Sequence, residues 1–169
     1  MNALPELQRN YLMVKSGLAQ VSCCIAWAVD CLQANEEGDD LDVVLLAAAT
    51  DDSETMPLVE KILAKYIGPA ALNRQFVAGK YIAELRRAYM AKSISIETLD
   101  SILDRHYCEL GYPDWLAILS RNCEYATDID DFRVRFEDEF AYIAGLWEKS
   151  ASLEEFLKVY DRGVSNSHM

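Results

Sequence analysis

Two histidines and five cysteines are the side chains best suited to hold a metal or attack a carbonyl, and their spacing signals neither. His106 stands two residues before Cys108, a separation that puts the two on different faces of a helix. His168 lies among the last residues. No Glu-x-x-His, His-Glu-x-x-His or Cys-x-x-Cys pair occurs, so no zinc or di-iron carboxylate site is signalled and no metal is expected. There is no Gly-x-Ser-x-Gly elbow. A Cys–His couple would have to join His106 to Cys23, Cys24, Cys31, Cys108 or Cys123, and nothing in the sequence selects one. The glycines are isolated, which leaves out a phosphate loop and a dinucleotide fingerprint. No cofactor and no catalytic residue are expected, and His106 reads as a packed or half-exposed helix residue.

Carboxylates are the abundant reactive type. They cluster as Glu36, Glu37, Asp39, Asp40 and Asp42; as Asp51, Asp52 and Glu54; and as Asp128, Asp130, Asp131, Glu137, Asp138 and Glu139. A general acid or base needs burial or a charged neighbour to tune its pKa, whereas these runs read as solvated. They fall at expected helix starts, where a carboxylate gains about 0.3–1 kcal/mol from the macrodipole. The functional alternative is a docking patch for lysines and arginines of a partner. Trp27, Trp115 and Trp147 each have core spacing, although an exposed Trp would anchor an interface.

The charge balance narrows the partners. Sixteen Lys and Arg stand against 28 Asp and Glu, a formal charge of −12 over 169 residues. That field repels phosphate backbones and anionic lipid, so nucleic acid and membrane surfaces are excluded as expected partners and a basic protein is favoured. The plainer reading is that the charge keeps the chain soluble. No apolar run reaches the roughly 20 residues of a membrane span. The stretch MNALPELQRNYLMVKSG has no basic start followed by an apolar run, so a cytoplasmic protein with reduced core thiols is expected.

The elements that would carry these residues are helices. Periodicity predicts an all-α single domain of eight or nine helices over residues 1–163, with stacked helical hairpins compatible, then a disordered tail at 164–169. Val21, Ile25, Ala28, Val29 and Leu32 read as one buried face, and Leu41, Val44, Leu45 and Ala48 as the buried face of a shorter helix. Asp39 or Asp40 would cap that helix. Ser53 would cap the next, with Pro57 in its first turn. Gly79 marks a kink or break. Ser95 is an N-cap with an Ile94–Leu99 staple, and Ser152 to Glu155 form a capping box. The run Phe132–Phe136 alternates like a strand at the start of an otherwise helical segment.

Within that frame, Gly17-Leu18, Ile25-Ala26-Trp27-Ala28-Val29-Asp30, the acidic loop, Leu41-Asp42-Val43-Val44-Leu45-Leu46-Ala47-Ala48 and Leu58-Val59-Glu60-Lys61-Ile62-Leu63 follow one another. This arrangement resembles the opening of small helical immunity proteins of bacterial polymorphic toxin systems. Tyr107-Cys108-Glu109-Leu110-Gly111-Tyr112-Pro113 also resembles one branch of those families. The likeness covers about two-thirds of the chain and rests on packing motifs. It implies a binder that neutralises a cognate toxin domain by occluding its active site or locking it in an unproductive shape; the charge of −12 favours a basic toxin, with a nuclease the expected class. The residues expected to meet that partner are Glu37, Asp39, Asp40, Asp51, Asp52 and Glu54, which bracket a helix roughly 13 Å long at 1.5 Å per residue. A helical adaptor in a regulatory complex is the alternative reading, and an enzyme with scattered carboxylates the third. Oligomeric state is left open.

Overall fold

The computed structural model describes the backbone of residues 3–166, and their side chains except at 71 and 162–166. The chain is all-α, 79% helical, with nine α-helices and no strand among the described residues. Its contacts fall into two compact units that divide after Val77.

The first unit holds α1 (Leu4–Lys15), α2 (Ser22–Gln33), α3 (Leu41–Ala48) and α4 (Asp52–Tyr66), followed by a 3-10 turn over Pro69–Leu72. Pro5 sits in the first turn of α1, where its missing N–H has no intrahelical partner to lose. Gly17, at φ 68°, lets the chain leave that helix in the left-handed region. The core joins Leu7 and Tyr11 of α1, Cys24, Trp27, Ala28 and Cys31 of α2, Val43 and Leu46 of α3, and Val59, Ile62 and Leu63 of α4.

Two faces differ from the periodicity. In α2 the buried set is Cys24, Trp27, Ala28 and Cys31, while Val21, Ile25, Val29 and Leu32 are half-buried beside it. An apolar helix gives periodicity little to choose between. Here Trp27 sets the rotation, its Nε1 donating to the Ala3 carbonyl at 2.8 Å. In α3 the expectation is inverted: Val43 and Leu46 are buried, and Leu41, Val44, Leu45 and Ala48 face solvent. The start of α4 also moves. Asp51, not Ser53, is the N-cap, accepting from the Glu54 N–H at 3.0 Å. Pro57 therefore lies inside the helix, past its first turn.

The second unit holds all but the first turn of α5 (Arg74–Met90), with α6 (Ile96–Glu109), α7 (Asp114–Asp128), α8 (Asp130–Lys149) and α9 (Leu153–Asn166). Ser95 caps α6 through the Thr98 N–H. The Phe132–Phe136 run is helical within α8, placing Phe136 and Phe140 in the core one turn apart. Ser152 accepts from the Glu155 N–H, and the Glu155 carboxylate reaches back to the Ala151 N–H at 2.7 Å. The last helix runs to Asn166, three residues past the expected end at Gly163; of the expected tail, 167–169 lie outside the described residues.

The centre of this unit is Trp147, fully buried, stacked on Phe156 at 3.7 Å between centroids and edge-on to Trp115. Gly79 does not break α5, which runs on from Arg74 to Met90. It is there because the indole of Trp147 occupies the space a β-carbon would need. Next to it, Lys80 Nζ donates to the Trp147 and Ser150 carbonyls at 2.6 and 2.5 Å, satisfying the open end of α8. Replacing Gly79 by Ala gains about 1 kcal/mol of helix propensity but forces the indole to move, an overpacking cost of about 1–3 kcal/mol. Gly79→Ala is therefore expected to lower the urea midpoint with tryptophan emission as readout. An unchanged or raised midpoint would contradict this packing.

Candidate functional site

A polar cluster joins the head of α3 to the end of α4. Asp40 caps α3, its Oδ1 accepting from the Asp42 N–H at 2.9 Å. Its Oδ2 accepts from Lys65 Nζ at 2.8 Å and from the Tyr66 hydroxyl at 2.6 Å. Asp42 Oδ1 accepts from Lys61 Nζ at 2.7 Å. Both aspartates are buried, Asp40 being 6% exposed, while the lysine side chains stay half or more in solvent. Since the last turns of α4 meet the first turn of α3, the two helices run antiparallel.

Burial alone would raise the Asp40 pKa. The hydrogen bonds from Lys65, Tyr66 and the Asp42 N–H outweigh it and hold the carboxyl below its ordinary value. Lys65 and Tyr66 are raised in return, chiefly by their hydrogen bonds to Asp40.

This geometry redistributes the six expected partner residues. Asp40 is withdrawn from the patch: it is a buried cap whose charge Lys65 answers. Glu37 is half-buried, with Oε2 enclosed and accepting no hydrogen bond among the described residues. Asp39 is exposed, at φ 61°, in the turn before α3. Asp51, Asp52 and Glu54 are exposed at the other end of α3. Asp51 accepts from Ser53 Oγ at 2.7 Å and from the Glu54 N–H, bonds that lower its pKa. Asp52 also lines a surface hollow of about 430 Å³ with Gln20 and Ser22. The structure thus places two acidic groups at opposite ends of one helix about 12 Å long at 1.5 Å per residue.

What sequence reasoning missed is the apolar stripe between them. Leu41, Val44, Leu45 and Ala48 recur at i, i+3, i+4 and i+7 and point outward. The available signal was Asp40 and Asp42, two apart, against Lys61 and Lys65, four apart on one helix face. That pairing fixes which side of α3 turns inward.

Elsewhere, Cys24, Cys31 and Cys123 are buried, Cys23 is half-buried and Cys108 is exposed. His106 is fully buried with its ring edge-on to Tyr81. Burial pushes the Cys24 thiol up to about 12, with Cys23 adding to it, and pushes Cys123 up further, so neither is a ready nucleophile. No group of three His, Cys, Asp or Glu among the described residues could hold a metal ion. A hollow of about 310 Å³ on α6 and α7 is lined by Asp100, Asp104 and Glu124. Burial, then Glu124, Asp104 and Asp128, raises the Asp100 pKa, but Asp104 and Glu124 are exposed, so no buried carboxyl pair is formed there. No helix among the described residues is long and apolar enough to cross a membrane. Comparison of the chain with protein-family models, with characterised proteins and with solved structures finds no match.

The Asp40 cluster has a pH signature. Its folded pKa is depressed, so its stabilisation is complete above the unfolded value of about 3.9 and is lost as pH falls through the folded value. Asp40→Ala removes the cap and the bonds from Lys65 and Tyr66. The expected cost is about 2 kcal/mol at pH 7, below the full sum because Lys65 is solvent-screened. Denaturant unfolding from pH 7 to 2 should show this difference shrinking in acid. A difference that persists undiminished at pH 2 would contradict the assignment.

Proposed function

We propose that this protein is an immunity protein, which binds and neutralises a cognate basic toxin domain by covering its active site. The observation that supports this reading most is the distribution of charge in the first unit. Residues 16–60 hold ten carboxylates and no lysine, arginine or histidine, and Asp39, Asp51, Asp52 and Glu54 in that stretch are exposed. Among the described residues none of these four makes an ion pair within the fold, so their field is directed at solvent. Such a field attracts a cationic protein, speeds its association and repels nucleic acid that would compete for the toxin. The helical resemblance in residues 17–63 and 107–113 points to the same class, with a nuclease as the expected target.

The test is co-expression with the product of the neighbouring open reading frame. Growth rescue and a co-purifying complex are expected. Reversal of Asp39, Asp52 and Glu54 to Lys should slow association about tenfold or more at low salt and flatten its salt dependence. Asp51 is left intact because it caps α4. A complex that forms without rescuing growth favours an adaptor. An association rate and salt slope unchanged by the triple reversal would refute the charged-face reading.

A further inference from the structure

On the basis of that reading, we infer that the outward stripe of α3, formed by Leu41, Val44, Leu45 and Ala48, is the apolar anchor of the docking surface. Its occupant is a segment of a basic protein partner that sets apolar side chains on the stripe and lysines or arginines on the carboxylates at its two ends. Leu41 is 66% exposed, Leu45 47% and Val44 41%, three large apolar side chains in water on an eight-residue helix. Isolated exposed leucines are ordinary, whereas a contiguous stripe at helical spacing is the form of an interface. Tyr66, held against Asp40 by its hydroxyl and 39% exposed, stands at the same end of α3 as Leu41.

Charge complementarity selects the occupant. The stripe lies between Asp39 on one side in sequence and Asp51, Asp52 and Glu54 on the other, inside the 45-residue stretch without a cation. An apolar centre with a charged rim is the usual anatomy of a specific interface, in which the centre carries most of the affinity and the rim sets the rate. Two copies of this face would bring like charges together, and anionic lipid would be repelled. The stripe is also held ready: Lys61 and Lys65 grip Asp42 and Asp40, so its orientation is fixed before a partner arrives.

The experiment uses the full chain and two synthetic helical peptides of about fifteen residues, roughly four turns. Both carry the same number of lysines. One has leucines at i, i+3, i+4 and i+7, and the other has glutamines there. Affinity is read by fluorescence anisotropy and the site by amide chemical shifts. The leucine peptide should bind about tenfold or more tighter, with shifts concentrated on residues 41–48. Leu41→Ser with Leu45→Ser, both at exposed positions, should erase that preference while the glutamine peptide binds as before. Equal binding of the two peptides to the unaltered chain, or shifts centred elsewhere, overturns the anchor but leaves the charged-face reading standing. Failure of both peptides to bind at low salt overturns that reading as well. Concentration-dependent shifts of 41–48 without peptide assign the face to a second copy, and stripe-dependent partition into phosphatidylcholine vesicles assigns it to a lipid surface. Either result overturns the proposal.

Discussion

The grip of Lys61, Lys65 and Tyr66 on two buried aspartates decides what the first unit can present to anything outside it. An isolated eight-residue helix is too short to be stable in water, so α3 exists only through its packing. It is apolar on both sides, with Val43 and Leu46 on one and Leu41, Val44 and Leu45 on the other, so hydrophobic burial alone does not choose between the two rotations. The aspartates choose. Turned outward, α3 would leave the end of α4 without Asp40 and Asp42; turned as it is, both carboxylates are paired and Leu41 and Leu45 are in water.

The second unit solves a similar problem with shape. Trp147 is packed so closely against α5 that only glycine fits at position 79. The neighbouring Lys80 then closes the end of α8 through two carbonyls, and Phe156 stacks on the same indole to hold α9. Burial lowers the Lys80 pKa, with Glu155 and Glu148 opposing that shift, as fits a lysine drawn into structural use. Of the reactive side chains of the unit, His106 and Cys123 are absorbed into its core, while Cys108 is exposed.

The helices were legible in the sequence because their ends carry local chemistry. Ser95 and the Ser152–Glu155 box each act through neighbours a few residues away, and the structure places them where that chemistry predicts. Rotation of a helix about its axis was not legible where apolar residues cover more than one face. In α2 a tryptophan bond to a carbonyl 24 residues away set it, and in α3 lysines 19 and 25 residues away did. Gly79 was misread for the same reason, since its partner lies on a distant helix. The candidate site inherited this limit. Periodicity assigned Leu41, Val44, Leu45 and Ala48 to the core, and Asp40 was expected both as a candidate cap and at the partner face; it is the cap, while its ion pair with Lys65 buries it and the apolar stripe faces outward.

The proposed function requires this protein to hold a preset apolar and acidic face against a basic macromolecule. Hydrogen exchange on the complex recovered from co-expression tests it most directly, comparing the free and bound chain amide by amide. The account predicts slowed exchange across residues 39–54, with the amides of α6 and α7 unchanged. Protection confined to α6 and α7, with residues 39–54 exchanging as in the free chain, would contradict it.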